Sequence, residues 1–215
     1  MLDLLFIGPL GWEEDVWEKV AIAFPNAQIR YISFTDKTIV ELNKKMDFVS
    51  MIQNINKQTV IVAASFGTLI LLKYLSENPI KNKVIFIEGF QELPSKEDIY
   101  SIFTNRQQSF KSKEEYLDTM LDSDEKKDSQ LTKIVLSNLD INMRTTTSNK
   151  SYIKCLSIFS YESPDFLLDY IDTSNMFAFN SFNLSKISTK LIAEEDHLLM
   201  LNKPELIIET IKECD

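Results

Sequence analysis

The sequence predicts an α/β fold: a mostly parallel sheet with helices on both faces. Short apolar runs, rich in β-branched residues, alternate with stretches of helical spacing. The runs are apolar at nearly every position, as expected of strands covered on both sides. The length, 215 residues, suits one domain with a sizeable core and room for an insertion.

Leu2 to Ile7 reads as the first strand, ended by Gly8-Pro9-Leu10-Gly11. From Glu13 to Phe24, apolar residues at Val16, Trp17, Val20, Ala21 and Phe24 keep helical spacing, and Pro25-Asn26 closes that helix. Gln28 to Ser33 alternates as a second strand, and Thr38 to Ile55 is helix-like. Thr59 to Val62 forms a third strand, Phe66 to Glu77 a helix stopped by Asn78-Pro79, and Lys83 to Ile87 a fourth strand. From Pro94 to Lys150 the chain is charged and lacks strand patterning. Ser95 with Asp98, and Ser112 with Glu115, mark two helix starts there, and Leu131 to Leu139 a third helix. We read residues 94–150 as a helical lid inserted into a single domain spanning 1–215. At its end Arg144 to Ser151 is a loop, and beyond that Leu156 to Tyr161 is a strand and Asp165 to Ile171 a helix. Asn175 to Asn180 and Thr189 to Ala193 are strands, and Pro204 to Lys212 is a terminal helix.

Composition narrows the function classes. With 44% hydrophobic and 26% charged residues the chain is globular. A net charge of −9 opposes general nucleic-acid binding, which needs a basic footprint. No apolar run is long enough to span a bilayer, and the opening MLDLLFIGPL reads as a strand, not a signal peptide. Cys155 and Cys214 lie far apart and suit free thiols in a reducing cytoplasm. A single histidine and the lack of a Cys/His cluster argue against a metal site, and no glycine-rich phosphate loop implies a cofactor. A cytoplasmic, soluble protein is expected, without membrane or nucleic-acid partners.

The chemistry centres on Thr59 to Leu75, TVIVAASFGTLILLKYL. A strand passes through Ala63 and Ala64 to Ser65, and Phe66-Gly67 opens a helix. That is the layout of a nucleophile elbow, in which small neighbours let strand and helix pack closely around a strained serine. The motif here is A-x-S-x-G, with Ala63 where glycine is usual. An ordinary strand-to-helix connection with Ser65 as an N-cap is the alternative.

A serine hydroxyl needs a base to take its proton. The only histidine, His197, follows the last predicted strand and precedes the terminal helix, in the chain order serine, acid, histidine. The acid that orients the imidazole has three candidates. Glu88, ending the strand after the elbow helix, ranks first; Asp165 ranks second; Asp196, adjacent to His197, reaches it only awkwardly. The oxyanion needs two backbone N–H donors: Phe66 supplies one, and Leu10 the other, because Pro9 has none.

These motifs resemble the α/β-hydrolase superfamily, and within it the thioesterase domains of nonribosomal peptide and polyketide synthesis. LLFIGPLGWEEDVWEKVAIAFP is similar to their first strand, oxyanion loop and helix, and VIVAASFGT to their elbow. VIFIEGFQELP resembles the strand that ends in their acid and runs into the lid. DHLLMLNKPE resembles their histidine segment. Ala63 for glycine, Glu88 for the usual aspartate and the scarcity of glycine are departures. A second resemblance, to the esterase that cleaves pimeloyl methyl ester, would favour Asp165. The first resemblance implies a thioesterase acting through an acyl-enzyme, without cofactor or metal. Its substrate would be an acyl thioester, delivered by a carrier protein with a phosphopantetheine arm; carrier proteins are usually acidic, so the net charge of −9 opposes docking unless Lys81, Lys83, Lys111 and Lys113 form a basic patch. The alternatives are a carboxylesterase and a non-catalytic binding protein of the same fold.

Overall fold

The structure, a computed structural model, describes residues 1–35, 52, 55–78, 80–88, 95–151, 153, 173–179, 187–190 and 198–214. The strand expected at 156–161, the helix at 165–171 and most of the helix at 38–55 lie outside the described residues.

Among the described residues six strands form one parallel sheet: β1 (Asp3–Leu10), β2 (Gln28–Phe34), β3 (Thr59–Ala64), β4 (Val84–Ile87), β5 (Met176–Phe179) and β6 (Ser188–Lys190). The spatial order is β2-β1-β3-β4-β5-β6. The chain therefore goes one way from β1 to β2 and the other way from β3 onward. That reversal places a crevice between the carboxyl ends of β1 and β3, where binding collects in open α/β sheets.

β1 runs three residues past its expected end. Its pairing with β2 shifts between Ile7 and Leu10, because Pro9 has no N–H for the ladder. After the shift, Leu10 pairs with Phe34, and the Gly11 N–H donates to the Phe34 carbonyl at 2.9 Å. Gly11 turns there at a φ of 86°, a conformation that needs glycine.

Alternate strand residues bury on opposite faces. On one face Leu5, Ile7, Ile61, Ala63, Val84 and Phe86 pack against the helix α2 (Phe66–Glu77), which is buried through Phe66–Leu72. On the other, Leu4, Phe6, Val60, Val62, Ile85 and Ile87 meet Val16, Trp17 and Val20. These come from a 3₁₀ turn, Glu14–Trp17, and the short helix α1 (Glu18–Ala21), where one longer helix was expected. Each such fully buried aliphatic or aromatic side chain contributes about 1.5–3 kcal/mol relative to exposure.

Between β4 and β5 the chain forms α3 (Lys96–Thr104), α4 (Lys113–Met120) and α5 (Ser129–Ser137). Ser112 accepts from the Glu115 N–H at 3.2 Å, the expected cap. The Glu115 carboxylate receives the Lys111 N–H at 2.6 Å. Asp128, not foreseen, caps α5 through the Gln130 and Leu131 N–H groups. Tyr116, Leu131, Ile134 and Val135 join the Trp17 face of the core. Lys19 pairs with Asp128 at 2.6 Å, and the Ser137 hydroxyl donates to Asp15 at 2.6 Å, so α5 is tied to the α1 region. Two helices end the chain, α6 (Leu199–Asn202) and α7 (Pro204–Cys214), and α6 was not anticipated.

Candidate active site

Ser65 sits between the last residue of β3 and the first of α2 with φ 52° and ψ −116°. Positive φ is sparsely populated by non-glycine residues, and holding one there costs about 1–3 kcal/mol. An ordinary N-cap serine has extended backbone and accepts a hydrogen bond from the first helical turn. Ser65 does neither: its side chain makes no cap hydrogen bond. The N-cap alternative therefore fails on geometry.

Neighbouring backbone holds the turn in place. The Ser65 N–H donates to the carbonyls of Ile87, at 2.9 Å, and Glu88, at 3.0 Å. Glu88 has positive φ itself, 49°, which lets its carbonyl turn back toward the elbow while its N–H donates to Phe179 at 2.8 Å. The wholly buried Thr68 hydroxyl lies 3.2 Å from the Ala63 carbonyl and 3.3 Å from that of Glu88, linking the ends of β3 and β4. Sequence reasoning missed Thr68; one threonine in an apolar helix is a weak signal. Gly67 completes the packing. A Cβ there would stand 2.5 Å from the Ile7 carbonyl oxygen and 2.8 Å from that of Gly8, so only glycine lets α2 approach β1 this closely.

Leu10, Ser65, Phe66 and Glu88 thus all lie at the carboxyl rim of adjacent strands. Phe66 opens α2, and its ring is buried edge-on against Phe34, centroids 5.0 Å apart. The Gly11 N–H beside Leu10 is committed to the Phe34 carbonyl. His197, Asp165 and Asp196 lie outside the described residues; the residue after His197, Leu198, is the N-cap of α6. Beside the rim, burial raises the Glu13 carboxyl above its ordinary value, and Asp15 and Glu14 add to the rise. Among the described residues no three His, Cys, Asp or Glu side chains gather as a metal site, and no helix is long and apolar enough to cross a membrane.

No protein-family model matches the sequence, and no curated protein matches it either. Solved structures do resemble the fold. A lipase-esterase related protein from Clostridium acetobutylicum aligns with a TM-score of 0.66 at 14% identity, covering 99% of this chain and 94% of that one. A peroxisomal alpha-beta-hydrolase from Saccharomyces cerevisiae aligns at 0.64 with 15% identity, covering 99% and 75%. The thioesterase domain from the curacin biosynthetic pathway aligns at 0.62 with 12% identity, covering 98% and 91%. This chain has the α/β-hydrolase fold. The strand-elbow-helix around Ser65 and the β1/β3 crevice are thus features of an α/β-hydrolase fold, which by itself does not fix an activity.

Proposed function

We propose that the protein is a serine hydrolase that cleaves acyl thioesters through an acyl-enzyme. The observation that carries this reading is the strained Ser65, held at positive φ with its hydroxyl unused for capping, at the crevice between β1 and β3. Strain of this kind is maintained by surrounding structure where function needs it.

In this mechanism the Ser65 Oγ attacks the acyl carbonyl carbon while His197 takes the hydroxyl proton. Glu88, with Asp165 as the alternative, fixes the imidazole tautomer. The N–H groups of Leu10 and Phe66 stabilise the tetrahedral oxyanion, for which removing one donor typically costs about 10²–10³ in rate. Collapse breaks the carbon–sulfur bond, and His197 returns the proton to the departing thiolate. Water, deprotonated by His197, then attacks the acyl-serine and releases the acid. The substrate arrives on the phosphopantetheine arm of a carrier protein, and residues 94–150 act as the lid. The buried free thiol of Cys214 suits a cytoplasmic setting.

Labelling with a fluorophosphonate tests the nucleophile: wild type labels and Ser65→Ala does not, and equal labelling of both would remove Ser65 from the mechanism. Glu88→Gln and Asp165→Asn separate the acids, since only the true partner loses most turnover. Matched acyl-pantetheine thioesters and oxygen esters separate a thioesterase from a carboxylesterase.

A further inference from the structure

We infer that the protein carries a second binding site, for a small phosphate-bearing anion, at the amino ends of the central strands. A cavity of about 390 Å³ there is lined by Lys57, Lys81 and Lys83, with Gln58, Thr59 and Asn175 among its polar neighbours. None of its described lining residues is a carboxylate. In a chain of net charge −9, three lysines lining one cavity run against the overall field.

The arrangement is built, not incidental. Lys57 belongs to the turn before β3, and Lys81 and Lys83 to the segment before β4. Buried Asn82 joins the two segments by donating to the carbonyls of Asn56, at 2.6 Å, and Thr59, at 2.8 Å. The Ile61 N–H donates to the Lys83 carbonyl at 2.9 Å, and the Asn56 side chain receives the Gln58 N–H at 2.7 Å. One nearby acid is committed elsewhere, while Glu213 adjoins the lining residue Cys214, on which both it and Lys83 act. Buried Asp3 accepts from Asn56 and from Thr59, each at 2.6 Å, and pairs with Arg30 at 3.2 Å. Among the described residues no carboxylate pairs with any of the three lysines. Hydrogen-bonded backbone thus places along one cavity three lysines without a carboxylate partner among the described residues, the donor type that binds phosphate without planar geometry.

This site is remote from Ser65. Thr59, which lines it, opens β3, and Ser65 follows the far end of that strand, about 20 Å away at roughly 3.3 Å per residue. Lys81 and Lys83 therefore lie on the rim opposite Ser65, away from where a carrier protein would present its arm. The anion site stands or falls independently of the hydrolase reading.

Inorganic pyrophosphate, titrated calorimetrically into the full chain at low salt, tests the site. Saturable one-to-one binding is expected, weakening as salt rises and weakened about tenfold by each of Lys57→Gln, Lys81→Gln and Lys83→Gln. Lys133→Gln, on α5 and outside this cavity, is expected to bind as wild type. Vesicles of phosphatidylcholine with and without phosphatidic acid form the second arm. Cosedimentation that needs phosphatidic acid and the same lysines identifies the phosphate as a lipid headgroup; pyrophosphate binding alone identifies a soluble ligand. Failure of both arms, or pyrophosphate binding that survives replacement of all three lysines, overturns the site.

Discussion

Replacing Gly67 by alanine tests whether the close approach of α2 to β1 sets the geometry of the rim. Helix propensity alone favours alanine by at most about 1 kcal/mol. Against that, the new Cβ meets the Ile7 carbonyl oxygen at 2.5 Å, the Gly8 oxygen at 2.8 Å and the Ile7 carbonyl carbon at 2.9 Å. Restoring ordinary contact near 3.4 Å moves helix and strand apart by about 0.9 Å. The obstructing atoms are backbone, so no side chain can swing aside, and the overpacking cost sits at or above the upper end of about 1–3 kcal/mol. The net expectation is a loss of about 2 kcal/mol, or roughly 4–8 °C in Tm for a chain of this size. The displacement falls on Ile7-Gly8, two residues before Leu10, and an error of about 1 Å at a reacting centre can cost about 10² in rate. Urea unfolding and the initial rate of fluorophosphonate labelling measure the two effects. Gly8→Ala is the control. Its Cβ would lie 3.5 Å from the Ile32 oxygen and 3.6 Å from the Trp17 indole nitrogen, so stability should hold or rise by about 0.5 kcal/mol. A Gly67→Ala protein within about 0.5 kcal/mol of wild type, labelling at the wild-type rate, would refute the steric argument.

Ser65→Gly removes the strained side chain. It should gain about 1 kcal/mol over Ser65→Ala in chemical denaturation, after the extra backbone entropy of glycine is counted, while neither variant labels; a less stable Ser65→Gly contradicts the strain. Asp128→Asn keeps the cap of α5 but removes the charge facing Lys19. The Lys19 hydrogen bond, then backbone N–H groups, lower the Asp128 carboxyl below its ordinary 3.8. Its stabilisation is therefore full above that value and fades as pH falls through the lower folded value. The variant should be less stable by at most about 1 kcal/mol at pH 7 and indistinguishable once Asp128 is protonated; a difference that persists there refutes the assignment. Ala63→Gly deletes a methyl buried in the α2-side core and loosens a strand residue, so unfolding should come about 1–2 kcal/mol sooner with labelling within about twofold of wild type. A tenfold rise in labelling would mean that Ala63 restricts the elbow.

The elements that proved easiest to read are those whose boundaries are set locally. Thr59–Ala64 and Phe66–Glu77 carry β-branched residues, small residues and an Asn-Pro stop within their own sequence. Elsewhere the deciding contacts lie far along the chain. Gly8-Pro9 reads as a strand end, yet β1 continues to Leu10 because β2 offers a partner again at Phe34. The expected helix from Glu13 to Phe24 begins instead as a 3₁₀ turn, with Val16 and Trp17 set into the sheet face. α6, four residues long, is too short to show a period and is held by burial of Leu199, Met200 and Leu201.

Within the candidate site, the sharp bend at Ser65 was legible because such a turn requires small residues at fixed offsets, but the reason for each was not. The two flanking positions of A-x-S-x-G are unequal. Ala63 points its methyl into the core beside Ile7 and Phe66, where a side chain of that size fits, so glycine is not needed there. Gly67 faces the backbone of β1, where no side chain fits. The alanine that makes the motif irregular thus falls on the tolerant side, and the strict steric demand lies on the other. Glu88 has a backbone role that its residue type does not announce. Beside the side-chain role expected of it, its backbone, at positive φ, supplies the carbonyl that both Ser65 and Thr68 bond. Glu88→Gln tests the carboxylate alone, because the amide leaves that backbone acceptor in place; the carbonyl's contribution to the elbow is independent of which carboxylate orients His197.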